Sequence, residues 1–308
     1  MNYLCSDESQ IIEFALDADK VRMVCDLLNG SKYKATAQQF LEQKGVHLQC
    51  KYSYAVSDLS AKKAASFVFF ATDKTYFDLV VHLAAIVGGR ATIEGEPLSV
   101  AVDLAIDSEL FQWALRTKPG RIIYYSSSAA YPIKLQDYGS THHLTESDID
   151  LNNIQSPDYT YGWAKLTGEM LASYAEKEGL RVHVFRPFSG YGEDQSLDYP
   201  FPSFIKRGVE KANPFKIWGS GNQVRDFIHM KDVVAATLEA VRQDIQGPVN
   251  LGLGRVTSFN DLATLVANEC GYSPEFERII GAPEGVQYRV CDPTKMLSFY
   301  TPKITLEE

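Results

Sequence analysis

Apolar residues recur along this chain in two alternating textures. Short β-branched and aromatic runs at 77–83 (FDLVVHL), 121–126 (RIIYYS) and 180–185 read as buried parallel strands. Between them lie stretches with helical spacing. One covers 98–117 and stops at Lys118-Pro119-Gly120; another covers 161–178 and stops at Gly179. Further helices are predicted over 233–243 and 258–270, with a strand-like return at 247–253. Upstream, the first 20 residues are acidic and weakly patterned, an extension or an accessory strand and helix. A short apolar run follows at 21–25, then a helical pattern at 36–45 ending on Gly45, then alternation at 46–52. Strands alternating with helices imply right-handed crossovers and a parallel sheet covered on both faces, an α/β doubly wound fold. After Arg186, Pro, Gly and aromatic residues become frequent and the elements shorten. The expected division is therefore 1–187 and 188–308, a larger domain and a smaller C-terminal lobe, with about 225–255 returning to the first. Ligands in such sheets lie at the carboxyl ends of the strands.

Composition narrows the function classes. The chain has 308 residues, 45% of them apolar, enough for a large core. A net charge of −9 weighs against a general nucleic-acid or membrane binder. The five cysteines (Cys5, Cys25, Cys50, Cys270, Cys291) are scattered without metal-ligand spacing, which reads as reduced thiols in a cytoplasmic protein. The N-terminal residues lack a signal-peptide pattern, and no run approaches the roughly 18 apolar residues of a membrane helix. His142 and His143 are adjacent, a spacing that rarely aims two rings at one ion, so they read as loop histidines and no metal is expected. Asp194 and Asp198 read as loop charges.

Two constellations carry chemistry. Tyr161 and Lys165 are four apart on a predicted helix, so phenol and ammonium share a face. A free phenol has a pKa near about 10 and is a poor base at neutral pH; a fixed cation beside it favours the phenolate and makes a general acid/base plausible. The spacing alone is also that of an ordinary amphipathic surface. The second constellation is Tyr124-Tyr-Ser-Ser-Ser-Ala-Ala-Tyr131-Pro132, where three serines follow a buried strand and place hydroxyls at its carboxyl end.

Taken together, these stretches resemble the extended short-chain dehydrogenase/reductase family of nucleotide-sugar epimerases, dehydratases and reductases. The matching segments are FDLVVHLAAIVGG (77–89), RIIYYSSSAAYP (121–132), YGWAKLTGE (161–169), FRPFSGYG (185–192), IWGSGNQVRDFIHMKDVV (217–234) and RVCDPTKM (289–296). The resemblance implies a Rossmann-like domain with a C-terminal substrate-binding lobe, a cofactor that is NAD or NADP, a nucleotide-diphosphate sugar as substrate, and a homodimer paired through the helices 98–117 and 161–178. It implies Ser127, Tyr161 and Lys165 as catalytic residues, Lys165 also holding the nicotinamide ribose. By the same resemblance Arg225 and Arg289 grip the diphosphate, for which guanidinium forks are suited. Ser128, Ser189, Phe204 and Trp218 complete the substrate set, and Leu83, Ala84, Ala85 and Asp58 line the cofactor.

The chain departs from the family at several points. Of the glycine-rich phosphate loop only Gly30 survives, with Lys32 and Lys34 nearby as cations and Asp26 as a repelling charge. The second strand lacks the acidic ribose-binding residue, and Lys51 there favours a 2′-phosphate. Asp103 and Ser189 stand where the family has asparagine. Ala129, two before Tyr131, stands where dehydratases carry Glu and 3,5-epimerases and fucose-type synthases carry Cys. Those reactions remove a proton beside a ketone and need that extra group, so 4-epimerase or 4-ketoreductase chemistry is favoured over a dehydratase. The eroded loop leaves one alternative: a non-redox or cofactor-poor member of the fold that binds a nucleotide-sugar.

Overall fold

A computed structural model describes residues 3–5, 10–13, 50–53, 68–71, 77–86, 90–193, 195–282 and 284–307. The expected strand at 21–25, the helix at 36–45, and the candidates Gly30, Lys32, Asp58 and Asp194 lie outside the described residues. The chain groups into two compact units, Met1–Val87 with Ser99–Tyr124 and Met170–Val182, and Gly88–Leu98 with Tyr125–Glu169 and His183–Glu308. This grouping differs from a break near residue 187. Residues 125–169, which carry Ser127, Tyr161 and Lys165, group with the C-terminal half. The physical reason is a set of cross-links: Leu144 N–H donates to Val290 O, Gln287 N–H donates to Gln136 O, and Arg186 pairs with Glu169.

In the first unit, strand Val80–His82 pairs in parallel with the strand Ile122–Tyr125, Val80 opposite Ile122 and His82 opposite Tyr124. Helix Val102–Thr117 buries Leu110, Phe111, Trp113 and Ala114. It ends where the sequence predicts, with Lys118 left-handed (φ 50°) and its N–H donating to Ala114 O. Two carboxylates of this helix reach into the unit. Asp107 accepts from the Tyr124 hydroxyl at 2.6 Å and lies 2.8 Å from His82 Nε2. Asp103, fully buried, accepts the Ile86 N–H at 2.6 Å and so fixes the segment that follows Leu83-Ala84-Ala85. Nearer the N-terminus, Tyr3–Cys5 pairs antiparallel with Cys50–Ser53, and Gln10–Glu13 antiparallel with Val68–Ala71. Lys51 therefore sits in an antiparallel pair rather than in the second strand of a parallel sheet.

In the second unit, strand Val182–Pro187 pairs in parallel with Val249–Leu251, Phe185 opposite Val249, and Ser126 N–H donates to Phe185 O. Ser189–Tyr191 pairs in parallel with Phe227–His229. Val224–Arg225 lies between Thr257–Ser258, antiparallel, and Tyr288–Arg289, parallel. Helix Phe259–Glu269 starts on a capping box in which Ser258 and Asp261 exchange hydrogen bonds. It packs Phe259, Leu262 and Val266 into a core with Phe204, Phe215, Ile217 and Phe227. The predicted helix 161–178 is the helix Tyr159–Lys177. Among the described residues no helix is long and apolar enough to cross a membrane.

Candidate active site

The strand Ile122–Tyr125 ends in a tight turn, Ser128–Ala130, capped by Ser127, whose Oγ accepts the Ala129 N–H at 3.1 Å. This turn abuts the first turn of the helix Tyr159–Lys177. Asp158 N–H donates to Ala129 O at 3.0 Å. A Cβ on Gly162 would come within 2.4 Å of that same oxygen. The glycine inside YGWAK is thus the condition for Tyr161 to lie beside the serine turn. Lys165 follows one helical turn later, 4% exposed, its Nζ 5.8 Å from the centroid of the Tyr161 ring. Tyr159 is left-handed (φ 52°), a conformation that costs a bulky residue about 1–3 kcal/mol.

Next to this helix start lies a cluster of cations. Arg225 and Arg289 are register partners on adjacent parallel strands, so their side chains leave one face of the sheet. Arg289 donates to Asp158 at 2.7 Å and to Gln136 at 2.5 Å. Arg90 donates to both Asp158 oxygens, at 2.8 and 2.9 Å, also pairs with Glu94, and lies 4.6 Å over the Tyr159 ring. Arg225 donates only to carbonyls, those of Val224, Val286 and Glu284, with its guanidinium 5.5 Å from the Phe259 ring centroid. Among the described residues it has no carboxylate at ion-pair distance. A Cβ on Gly285 would meet Arg225 at 3.2 Å and Arg90 at 3.4 Å, so these two cations flank one point.

The titration directions follow from this geometry. Burial pushes Arg225 down, and the like charges of Arg289 and Arg90 add to that against Asp158. A guanidinium keeps its proton in proteins, so the consequence is a site with surplus positive charge. Burial alone would raise Asp158, but Arg289 and Arg90 outweigh it and hold the carboxyl below its ordinary value. Burial pushes the Tyr199 phenol up to about 12, with Tyr161 and Asp198 contributing, which puts Tyr199 within electrostatic reach of Tyr161.

The remaining candidates separate. Ser128 is buried in the turn beside Ser127, and Ser189 lies on a short strand, its N–H donating to Asp226 O. Trp218 is half exposed at the end of its strand. Phe204 packs against Phe215 and Phe259 and is 4% exposed, so it serves the core and offers little surface to a ligand. In the first unit Leu83 is half exposed just past the strand Val80–His82, while Ala84 and Ala85 are buried. His142 turns to Asp148 at 2.8 Å and His143 to the Tyr288 ring, so the two diverge. Sequence reasoning missed Arg90, Asp158, Gln136 and Tyr199. Asp158 had a signal, since it follows Pro157 and stands three residues before Tyr161, where the predicted helix begins; Arg90 and Gln136 had none.

The model of the NAD dependent epimerase/dehydratase family matches residues 22–252. The GDP-L-fucose synthase of Azorhizobium caulinodans is 26% identical over 244 residues, covering 75% of this chain and 76% of that protein. Among solved structures, the UDP-glucose 4-epimerase of Thermotoga maritima with UDP-glucose is similar at a TM-score of 0.65 and 26% identity. The match covers 75% of this chain and 74% of that one. The UDP-glucuronic acid 4-epimerase of Bacillus cereus in complex with UDP-glucuronic acid and NAD is similar at a TM-score of 0.63 and 26% identity, covering 75% and 72%.

Proposed function

The chain belongs to the NAD dependent epimerase/dehydratase family, and from that premise we propose that it interconverts the C4 epimers of a nucleoside-diphosphate sugar. One observation carries the reading. A single compact unit holds a Tyr–Lys pair beside a serine turn and, at the start of the same helix, Arg90 and Arg289 sharing the buried Asp158 carboxylate, with Arg225 beside them bonded to carbonyls. A diphosphate supplies the negative charge that Asp158 and Glu94 leave unmatched against three arginines.

Arg225 and Arg289 hold the diphosphate, and the half-exposed Trp218 lines the nucleotide's side of the site. Ser127 hydrogen-bonds the C4 oxygen of the sugar. Tyr161 takes the C4 hydroxyl proton as that carbon is oxidised and returns it when the carbon is reduced. Lys165 stabilises the phenolate between those events. When bound, NAD supplies the hydride acceptor and donor. Lys165 would hold a ribose hydroxyl of its nicotinamide half, as the family resemblance implies.

Ala129 supports this reading over dehydration. Dehydration and 3,5-epimerisation require a base for a C–H proton beside a ketone, and a buried methyl group cannot act as one. Tyr199, with its phenol at about 12, is also a poor base at neutral pH. The test is to incubate the purified full chain with NAD and a panel of UDP-, GDP- and dTDP-hexoses, and to resolve the products by chromatography and mass spectrometry. The 4-epimer at unchanged mass is expected. Absence of turnover together with absence of NAD binding would overturn the proposal.

A further inference from the structure

We propose that Glu169 and Arg186 are positioning residues whose buried ion pair fixes Ser127 in place beside Tyr161; the inference rests on the catalytic reading above. Glu169 lies on the helix Tyr159–Lys177, one turn beyond Lys165 and two beyond Tyr161, so the three occupy one side of that helix. Its carboxylate and the Arg186 guanidinium form a two-pronged pair, Nε to Oε1 at 2.9 Å and Nη2 to Oε2 at 2.6 Å, with both side chains 2% exposed.

Each partner also holds one end of the serine segment. The Ser126 hydroxyl donates to Glu169 Oε1 at 2.5 Å. Arg186 Nη1 donates to the Tyr131 hydroxyl at 3.0 Å, and that hydroxyl donates to Asn250 Oδ1 at 2.6 Å. Arg186 also donates to Glu146 O at 2.9 Å. Ser127 is thus strung between two residues anchored to the same ion pair, and one half of that pair belongs to the helix that carries Tyr161 and Lys165.

An ion pair is a poor way to gain stability at such a site. Desolvating two charges costs about as much as their attraction returns, and apolar residues of similar volume are often as good. Geometry is what the pair adds. A planar guanidinium and a planar carboxylate meet in one orientation, which sets strand end against helix along a fixed direction. Apolar packing between the same elements tolerates sliding. Neither Glu169 nor Arg186 is placed to touch substrate, since both are sealed from solvent, so their effect reaches the reaction only through Ser127 and Tyr161.

Removing either charge leaves the other buried and unpaired, and such a variant can fail to fold. The tethers are the better target. Ser126→Ala and Tyr131→Phe each delete one hydroxyl and keep the ion pair. In the epimerisation assay with the full chain and the sugar-nucleotide panel, each substitution is expected to lower kcat by about three- to tenfold, and the double variant by about thirtyfold or more. KM should stay within about twofold, because the arginine cluster is untouched. Circular dichroism at the assay temperature reports the folded fraction. A double variant with wild-type kcat overturns the inference and leaves the catalytic reading standing. So does a loss of kcat that merely follows the loss of folded protein, or that comes with an equal rise in KM. A wild-type chain that turns over none of the panel overturns both.

Discussion

Gly162→Ala tests the contact on which the site geometry depends. On an open helix this substitution is stabilising by about 1 kcal/mol, because alanine is the better helix former. Here the new methyl would lie 2.4 Å from the Ala129 carbonyl oxygen and 3.0 Å from Pro157 Cβ. Ordinary contact begins near 3.4 Å, so about 1 Å must open between the helix start and the serine turn. The obstructing atom is backbone and cannot swing aside. Overpacking of this kind costs about 1–3 kcal/mol, and opening the gap also stretches the Asp158–Ala129 hydrogen bond, worth about 1 kcal/mol. After the propensity gain, a net loss of about 1–3 kcal/mol remains, or roughly 2–5 °C in the unfolding midpoint for a chain of this size. Activity should fall further than stability, because a shift of about 1 Å at a reacting group costs on the order of a hundredfold. Gly95→Ala is the control. Gly95 ends the short helix Arg90–Gly95, and a Cβ there meets nothing within 4 Å, so that variant should match or exceed the wild type in stability. Thermal unfolding and steady-state kinetics on both variants decide it. A Gly162→Ala protein as stable and as active as the wild type would refute the proposed contact.

Other outcomes follow from the same site. Tyr161→Phe should lower kcat by about 10²–10⁴-fold while calorimetry finds nucleoside diphosphate affinity within about twofold of wild type; a parallel loss of affinity would remove Tyr161 from the chemistry. Arg225→Gln should weaken nucleoside diphosphate binding by about 2–3 kcal/mol, roughly 30- to 150-fold in Kd, and reduce its salt dependence; unchanged affinity would place the anion elsewhere. Asp158 has a folded-state pKa below its unfolded value, so it contributes stability above about pH 4 that is lost as pH falls through the folded value. The stability gap between wild type and Asp158→Asn should therefore be full at neutral pH and close in acid, and a gap independent of pH would contradict the ion pairs. Leu104 and Leu115 on helix Val102–Thr117 and Trp163 and Tyr174 on helix Tyr159–Lys177 are exposed, which leaves them available to the homodimer that the family resemblance implies; light scattering that gives a monomer mass at micromolar concentration would reject it.

What the sequence made legible was local and periodic. The helix 98–117, the strand 121–126 and the helix 161–178 fall close to Val102–Thr117, Ile122–Tyr125 and Tyr159–Lys177, because each is bounded by its own stop signals and does not depend on distant partners. Pairing between remote segments was not legible. Arg225 and Arg289 stand 64 positions apart, and only the parallel register of their strands puts them on one face. Asp158 and Arg90 are likewise joined by the fold, and Arg90 sits in no motif that spacing alone can flag. Phe204 shows the converse limit. An aromatic residue at the expected helix position is as well suited to a core as to a pocket, and only its packing on Phe215 and Phe259 separates the two. Asp103 stood out in the sequence as a replaced asparagine. The buried bond to the Ile86 N–H shows a task that either side chain can perform, since both offer an acceptor oxygen.

The distribution of protons around Tyr161 sharpens the choice of reaction. A mechanism with two proton transfers at different carbons needs two groups that can exchange protons near neutral pH. Among the described residues close to the serine turn, Asp158 is committed to two arginines, and Glu169 to Arg186 and Ser126. Ala129 is a methyl group, and Tyr199 sits at about 12. On the proposed roles Tyr161 exchanges the C4 hydroxyl proton beside Lys165. One such group suffices when the same oxygen gives up a proton and later recovers it, which is redox at a single carbon. The surplus charge at Arg225 points the same way. On the proposed roles it holds the substrate by its diphosphate, remote from the sugar, which would leave the ring free to present either face to Tyr161. Inversion at C4 requires that freedom, and elimination across two carbons does not.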